Sequence, residues 1–134
     1  SGSAVTSVDA RGTGMTGPIA AGIVHHKDML ILKSAKASGD WGYIATWGQQ
    51  SLAGDNLGIA LFFPEKAVAT RYTDDGQTLF VTFKDASKVR YAFAETWVQD
   101  ASGVRDLDGF KAYIATTLDG LNHPVRIVPA GKKK

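Results

Sequence analysis

The stretch from residue 41 to residue 63 constrains the fold of this chain most strongly. Its first part, residues 41–47, alternates in character: Trp41, Tyr43, Ala45 and Trp47 share one face of an extended strand, whereas the residues between them share the other. A polar, glycine-containing segment follows over residues 48–56, and residues 57–63 are then apolar up to Pro64. This pattern predicts two neighbouring strands joined by a loop.

Similar alternation recurs on both sides of this stretch. Residues 19–25, 78–84 and 89–97 each read as a strand, and Asp75-Gly76 is typical of the turn in a hairpin. One segment has helical spacing instead, because residues 107, 110, 114, 118 and 121 are apolar at steps of three or four, with Asp106 as the expected N-cap. We therefore predict a mainly β fold, an antiparallel β-sandwich or curved sheet, with one C-terminal amphipathic helix over residues 106–121.

The chain is expected to form one domain. We divide it into a flexible or edge N-terminal segment at residues 1–18, a β-rich domain at residues 19–130 and a basic tail at residues 131–134. Three of the 15 basic residues are the lysines of this tail, so 12 remain against 13 acidic residues. A nucleic-acid-binding protein would be expected to have a basic face within its fold, so we expect no nucleic-acid partner. No apolar run is long enough to span a bilayer.

Several polar and aromatic residues near the predicted strand pair are candidates for ligand binding. Aromatic rings stack on flat polar ligands such as sugar rings, and amides or carboxylates hydrogen-bond to their rims. The alternative is that the rings fill the core and that the short polar residues form turns. The ligand-binding candidates are Asp40, Trp41, Trp47, Gln49, Gln50, Asp55 and Asn56.

Four residues are candidates for acid–base catalysis. His25 and His26 stand at the end of a predicted strand, and histidine exchanges protons near neutral pH. Tyr43 is a candidate proton shuttle. Glu95 lies in an alternating row of large apolar residues, where an unpaired carboxylate would be costly to bury, so it either pairs with a basic residue or acts in a pocket.

No cofactor and no metal are expected. The chain has no cysteine, which excludes disulfides, thiolate ligands and cysteine nucleophiles. The two adjacent histidines lack a third ligand at a suitable spacing, since His123 is far away in the sequence.

Four pieces of the chain resemble the C-terminal part of the bacterial domain of unknown function 4861 family. They are residues 20–26, residues 39–63, residues 91–97 and residues 103–113, in the same order. The resemblance implies a galactose-mutarotase-like sandwich, a link to polysaccharide degradation and a periplasmic or secreted location, although no leader is visible in this chain. The full domain of that family is much longer, so we expect the exposed edges to be covered by a second copy or by the missing half of a larger fold.

These observations favour a carbohydrate-active domain. It would bind or process an oligosaccharide, with uronate-containing chains among the candidates, by acid–base chemistry of the lyase, hydrolase or epimerase type. The alternative is a non-catalytic sugar-binding domain or a structural, assembly-forming domain. Convergence of the histidines, Tyr43 and Glu95 in one cleft would favour the enzyme.

Overall fold

The computed structural model describes residues 5–11, 19–25, 28–34, 40–49, 56–85, 87–97 and 104–123. Eight strands and two helical segments follow one another along these residues. In chain order they are β1 (Val5–Arg11), β2 (Ile19–Val24), β3 (Leu30–Lys33), β4 (Trp41–Gln49), β5 (Asn56–Pro64), the 3₁₀ turn Glu65–Ala67, β6 (Val68–Asp74), β7 (Thr78–Phe83), β8 (Lys88–Trp97) and α1 (Leu107–Asn122).

The strands form two antiparallel sheets. The larger sheet has the order β1-β8-β5-β4-β3, and the smaller has the order β2-β7-β6. The predicted strand pair is confirmed as β4 and β5, which align Trp41 with Pro64 at one end and Gln49 with Asn56 at the other. The predicted mainly β, sandwich-like class with one C-terminal helix is therefore confirmed.

The first strand lies at one edge of the larger sheet. Val5 to Arg11 pair with Ala94 to Lys88 of β8. The division of the chain at residues 18 and 130 stays a prediction, and the strand predicted at residues 125–128 lies outside the described residues.

One hydrophobic core lies between the two sheets. Every second residue of β4 and β5, such as Ile44 and Leu61, faces Leu79 and Val81 of the smaller sheet, and all four are at most 1% exposed. The strict alternation of burial in β7 reflects this one-sided packing.

A second core lies between the opposite face of the larger sheet and α1. The helix begins after Asp106, whose side chain accepts a hydrogen bond from the Gly109 amide, as the sequence predicted. Phe110 and Ile114 of the predicted apolar face are buried against Ala60 and Phe62 of β5. At the other end, the Asn122 side chain accepts a hydrogen bond from the Trp41 amide at 2.9 Å and so ties the helix to the start of β4.

Candidate ligand-binding site

A polar cleft of about 450 Å³ lies at the rim of the larger sheet, where β3 begins, β4 ends and β5 begins. Gln49 is the last residue of β4 and faces Asn56, the first residue of β5, so pairing of the strands brings the two amides together. Leu30 of β3 aligns with Trp47, which brings the residues before Leu30 beside Gln49. The described residues lining the cleft are Asp28, Met29, Gly48, Gln49 and Asn56.

The backbone of Asp28 shapes the entrance to β3. Its φ angle of 68° lies in the left-handed region, which aspartate and asparagine tolerate better than most residues. Met29 lies against Gly48, where an added Cβ would be 3.3 Å from the Met29 Cγ. The cleft therefore combines one carboxylate and two amides with an apolar methionine beside them.

The two predicted tryptophans lie in the helix-covered core. Trp41 and Trp47 are 8% and 7% exposed. The Trp47 ring stacks on Phe110 with the centroids 5.1 Å apart, and the Arg90 guanidinium lies 5.4 Å from the Trp41 ring. In this arrangement neither ring offers an open face to a sugar, because α1 and Arg90 occupy the positions that a ligand would take. The alternative role named from the sequence, core packing, accounts for both rings.

Asp40 lies at the opposite end of β4 from the cleft. Its carbonyl oxygen accepts a hydrogen bond from the Glu65 amide at 2.8 Å, so its backbone closes the β4–β5 end of the sheet. With a rise of about 3.3 Å per residue, β4 separates Asp40 from Gln49 by about 30 Å. The predicted ligand-binding residues are thus divided between two ends of one strand. Gln50 and Asp55 lie outside the described residues.

His25, which directly follows β2, pairs with Asp74 at the end of β6. Its Nδ1 lies 3.1 Å from the Asp74 carboxylate, and its backbone amide donates to the Gln77 carbonyl oxygen at 2.8 Å. The same Asp74 oxygen accepts a hydrogen bond from the Gly76 amide at 2.9 Å. The Gly76 amide first, and His25 second, lower the pKa of Asp74 below its ordinary value. His26 lies outside the described residues.

Tyr43 and Glu95 lie on opposite faces of the larger sheet. Tyr43 is on the helix-covered face, 6.4 Å from the Phe62 ring, and burial raises the pKa of its hydroxyl, which disfavours its use as a base near neutral pH. Glu95 aligns with Ile59 of β5 on the face toward the smaller sheet and is exposed, so it carries no cost of full burial. Because a sheet separates Tyr43 from Glu95, these two candidates do not converge in one cleft.

A second, more apolar groove of about 360 Å³ lies between β2 of the smaller sheet and strands β5 and β8 of the larger sheet. Ile23, Ile59, Tyr91 and Phe93 contribute to its lining, and Phe93 is 40% exposed. Val24, the last residue of β2, is 45% exposed on the face opposite the buried Ile23. The smaller sheet therefore leaves part of the inner face of β8 open.

Sequence reasoning missed four residues of the rim cleft and the histidine pair: Asp28, Met29, Gly48 and Asp74. Asp28 reads as an ordinary turn residue, and Asp74 as part of the Asp-Asp-Gly hairpin signal. The sequence offers no local sign of their partners, because Asp74 is 49 positions from His25. Only the spatial arrangement of the strands brings them together.

Two features are absent from the part of the chain that the structure describes: a cluster of metal-ligating side chains and a membrane-spanning helix. The described residues contain no group of three or more His, Cys, Asp or Glu that could hold a metal ion. Within the same residues, α1 is not long and apolar enough to cross a membrane.

The fold and site define a small antiparallel β-sandwich with one helix packed on its larger sheet and a polar cleft at one rim. The model of a protein family described as a domain of unknown function (DUF4861) matches residues 1–127, so the chain belongs to that family. No curated protein and no solved structure matches the chain.

Proposed function

We propose that this chain binds a saccharide in the rim cleft formed by Asp28, Gln49 and Asn56. The observation that carries the proposal is the position of these three side chains in one cleft at the ends of adjacent strands. Each amide supplies donors and an acceptor, and the carboxylate supplies acceptors, which together match the vicinal hydroxyls of a sugar ring. Two of the three residues, Gln49 and Asn56, are candidates from the sequence alone.

The size and lining of the cleft support a small ligand. A volume of about 450 Å³ falls within the range of roughly 300–1,000 Å³ that is usual for small-molecule sites. Met29 provides a polarizable apolar surface beside the polar groups, which suits the C–H side of a sugar ring. Both amides belong to paired strands, so their backbone positions are held by the sheet.

A binding test can separate this site from other amides of the surface. We expect Gln49→Ala and Asn56→Ala each to weaken binding of the best ligand from a panel of neutral and acidic oligosaccharides by about tenfold, measured by calorimetry. Gln77→Ala is the matched control, because Gln77 is an exposed amide in the β6–β7 turn, outside the cleft. Equal weakening by all three variants, or no binding by the unmodified chain, would contradict the proposal.

A processing activity is the second candidate, and the His25–Asp74 pair favours it. A carboxylate that holds Nδ1 of an imidazole orients the ring and leaves Nε2 to accept a proton. In this proposal His25 is the base, and the reaction is a lyase- or epimerase-type proton abstraction from an oligosaccharide. Loss of product formation in His25→Gln, with oligosaccharide binding retained, would support it; turnover that is unchanged in that variant would overturn it.

An assembly role is supported by the open groove beside β2. Among the described residues β2 pairs only with β7, so its other edge is open. Val24 of β2 and Phe93 of β8 are both exposed. We infer that a second copy pairs antiparallel with β2, since a twofold axis makes such an edge complementary to itself. Light scattering should show a dimer that Val24→Lys dissociates, whereas Leu30→Lys, on the edge strand of the larger sheet, leaves it intact. A monomer at high concentration would contradict this inference.

A further inference from the structure

The charge of the rim cleft bears on which saccharides it accepts. Asp28 supplies a carboxylate to the lining, whereas the other described lining residues, Met29, Gly48, Gln49 and Asn56, are uncharged. No lysine, arginine or histidine is among these described lining residues. The carboxylate of a uronate placed in the cleft would therefore lie near a like charge.

We propose that the rim cleft selects neutral saccharides over uronates and that Asp28 is the residue that determines this specificity. The inference rests on the proposed saccharide-binding function and names the class of ligand. A carboxylate accepts two hydrogen bonds from adjacent hydroxyls of a neutral ring, and such charge-assisted bonds are stronger than neutral ones. The same group repels the carboxylate that replaces the primary alcohol in a uronate.

The exposure of Asp28 sets the expected difference in affinity between neutral saccharides and uronates. The residue is exposed, so water screens its charge, and the repulsion is closer to the value in water than to that in a protein interior. Two like charges about 4 Å apart in water cost about 1 kcal/mol, which corresponds to roughly fivefold weaker binding. We expect at least this ratio between matched neutral and acidic ligands at low salt.

Matched ligands make the test specific to charge. Each neutral oligosaccharide of a panel is compared with its C6-oxidised counterpart, which has the same linkages and the same ring stereochemistry. The unmodified chain should bind the neutral member about fivefold or more tightly in 50 mM salt, and the ratio should shrink in 500 mM salt because the Debye length falls.

Two variants assign the selectivity to one residue. Asp28→Asn removes the charge while keeping the shape, and asparagine also tolerates the positive φ at this position, so the variant should fold normally. We expect it to bind both members of a pair with affinities within about twofold. Asp108→Asn is the control, because it makes the same change in net charge at an exposed position on α1.

The outcomes separate this inference from the function on which it rests. Binding of oxidised members equal to or tighter than that of neutral members overturns the selectivity but leaves saccharide binding intact. Selectivity that persists unchanged in Asp28→Asn, or disappears in Asp108→Asn as well, overturns the role of Asp28. Absence of binding to every member of the panel overturns the proposed function and this inference with it.

Discussion

Two stretches of the same face of β4 and β5, one beneath α1 and one at the strand ends, differ in what covers them. In the middle of the strands, the helix-covered face holds Trp47 stacked on Phe110 and closed to solvent. Two residues further along β4, at the rim, Gln49 and Asn56 line a polar cleft that α1 does not close. Large rings on a sheet become core where another element covers them, whereas the strand ends beyond α1 keep polar side chains at an open cleft.

The strongest test of this contrast is removal of the residue that closes the helix-covered face. Phe110 is fully buried, so Phe110→Ala should lower the free energy of unfolding by about 3–5 kcal/mol. Chemical denaturation measures the change, and Lys111→Ala, an exposed neighbour, should change it by less than about 0.5 kcal/mol. A loss below about 1 kcal/mol for Phe110→Ala would mean that α1 does not close this face.

A smaller loss of stability is expected from a substitution at Gly58, where the ring of Phe110 packs on β5. A Cβ added at Gly58 would lie 2.5 Å from the Phe110 Cε1, so the glycine allows the ring to approach the backbone of β5. Gly58→Ala should cost about 1–3 kcal/mol through this overlap. In a double-mutant cycle with Phe110→Leu, the cost of Gly58→Ala should fall by at least about 0.5 kcal/mol. Additive costs would show that the ring and the glycine do not interact.

The smallest expected effect concerns the His25–Asp74 pair outside the helix-covered core. The Gly76 amide and His25 lower the pKa of Asp74 below 3.8 in the folded chain. Because a lowered carboxyl pKa means that folding favours the charged form, this contribution is present above about pH 4 and is lost as the pH falls through the lowered pKa. Asp74→Asn should therefore reduce the acid dependence of stability, measured by thermal unfolding from pH 5 to pH 2. An unchanged acid dependence would contradict the pairing.

The sequence was sufficient to predict most of the fold but only part of the site. Alternation in residues 41–47 and spacing in residues 107–121 report directly on which side chains share a face, so β4, β5 and α1 were predicted correctly. Alternation shows which residues share a face but not what covers that face. The sequence therefore allowed Trp47 either to stack on a sugar or to pack in the core. Gln49 and Asn56 were found because both belong to the polar segment predicted as a loop over residues 48–56, although the structure places them at the ends of β4 and β5. Asp28 and Asp74 were missed because their neighbours come from other strands.

The pairing of β1 with β8 has a consequence for how the chain folds. Val5 meets Ala94, so the first described strand finds its partner only after nearly ninety residues have intervened. The meander of β3, β4 and β5 and the hairpin of β6 and β7 join residues close in sequence, whereas β1 must close a long loop. Topologies dominated by such distant contacts fold slowly, on the scale of milliseconds to seconds. During synthesis, β1 therefore leaves the ribosome long before its partner exists and stays unpaired with β8 until most of the domain has emerged.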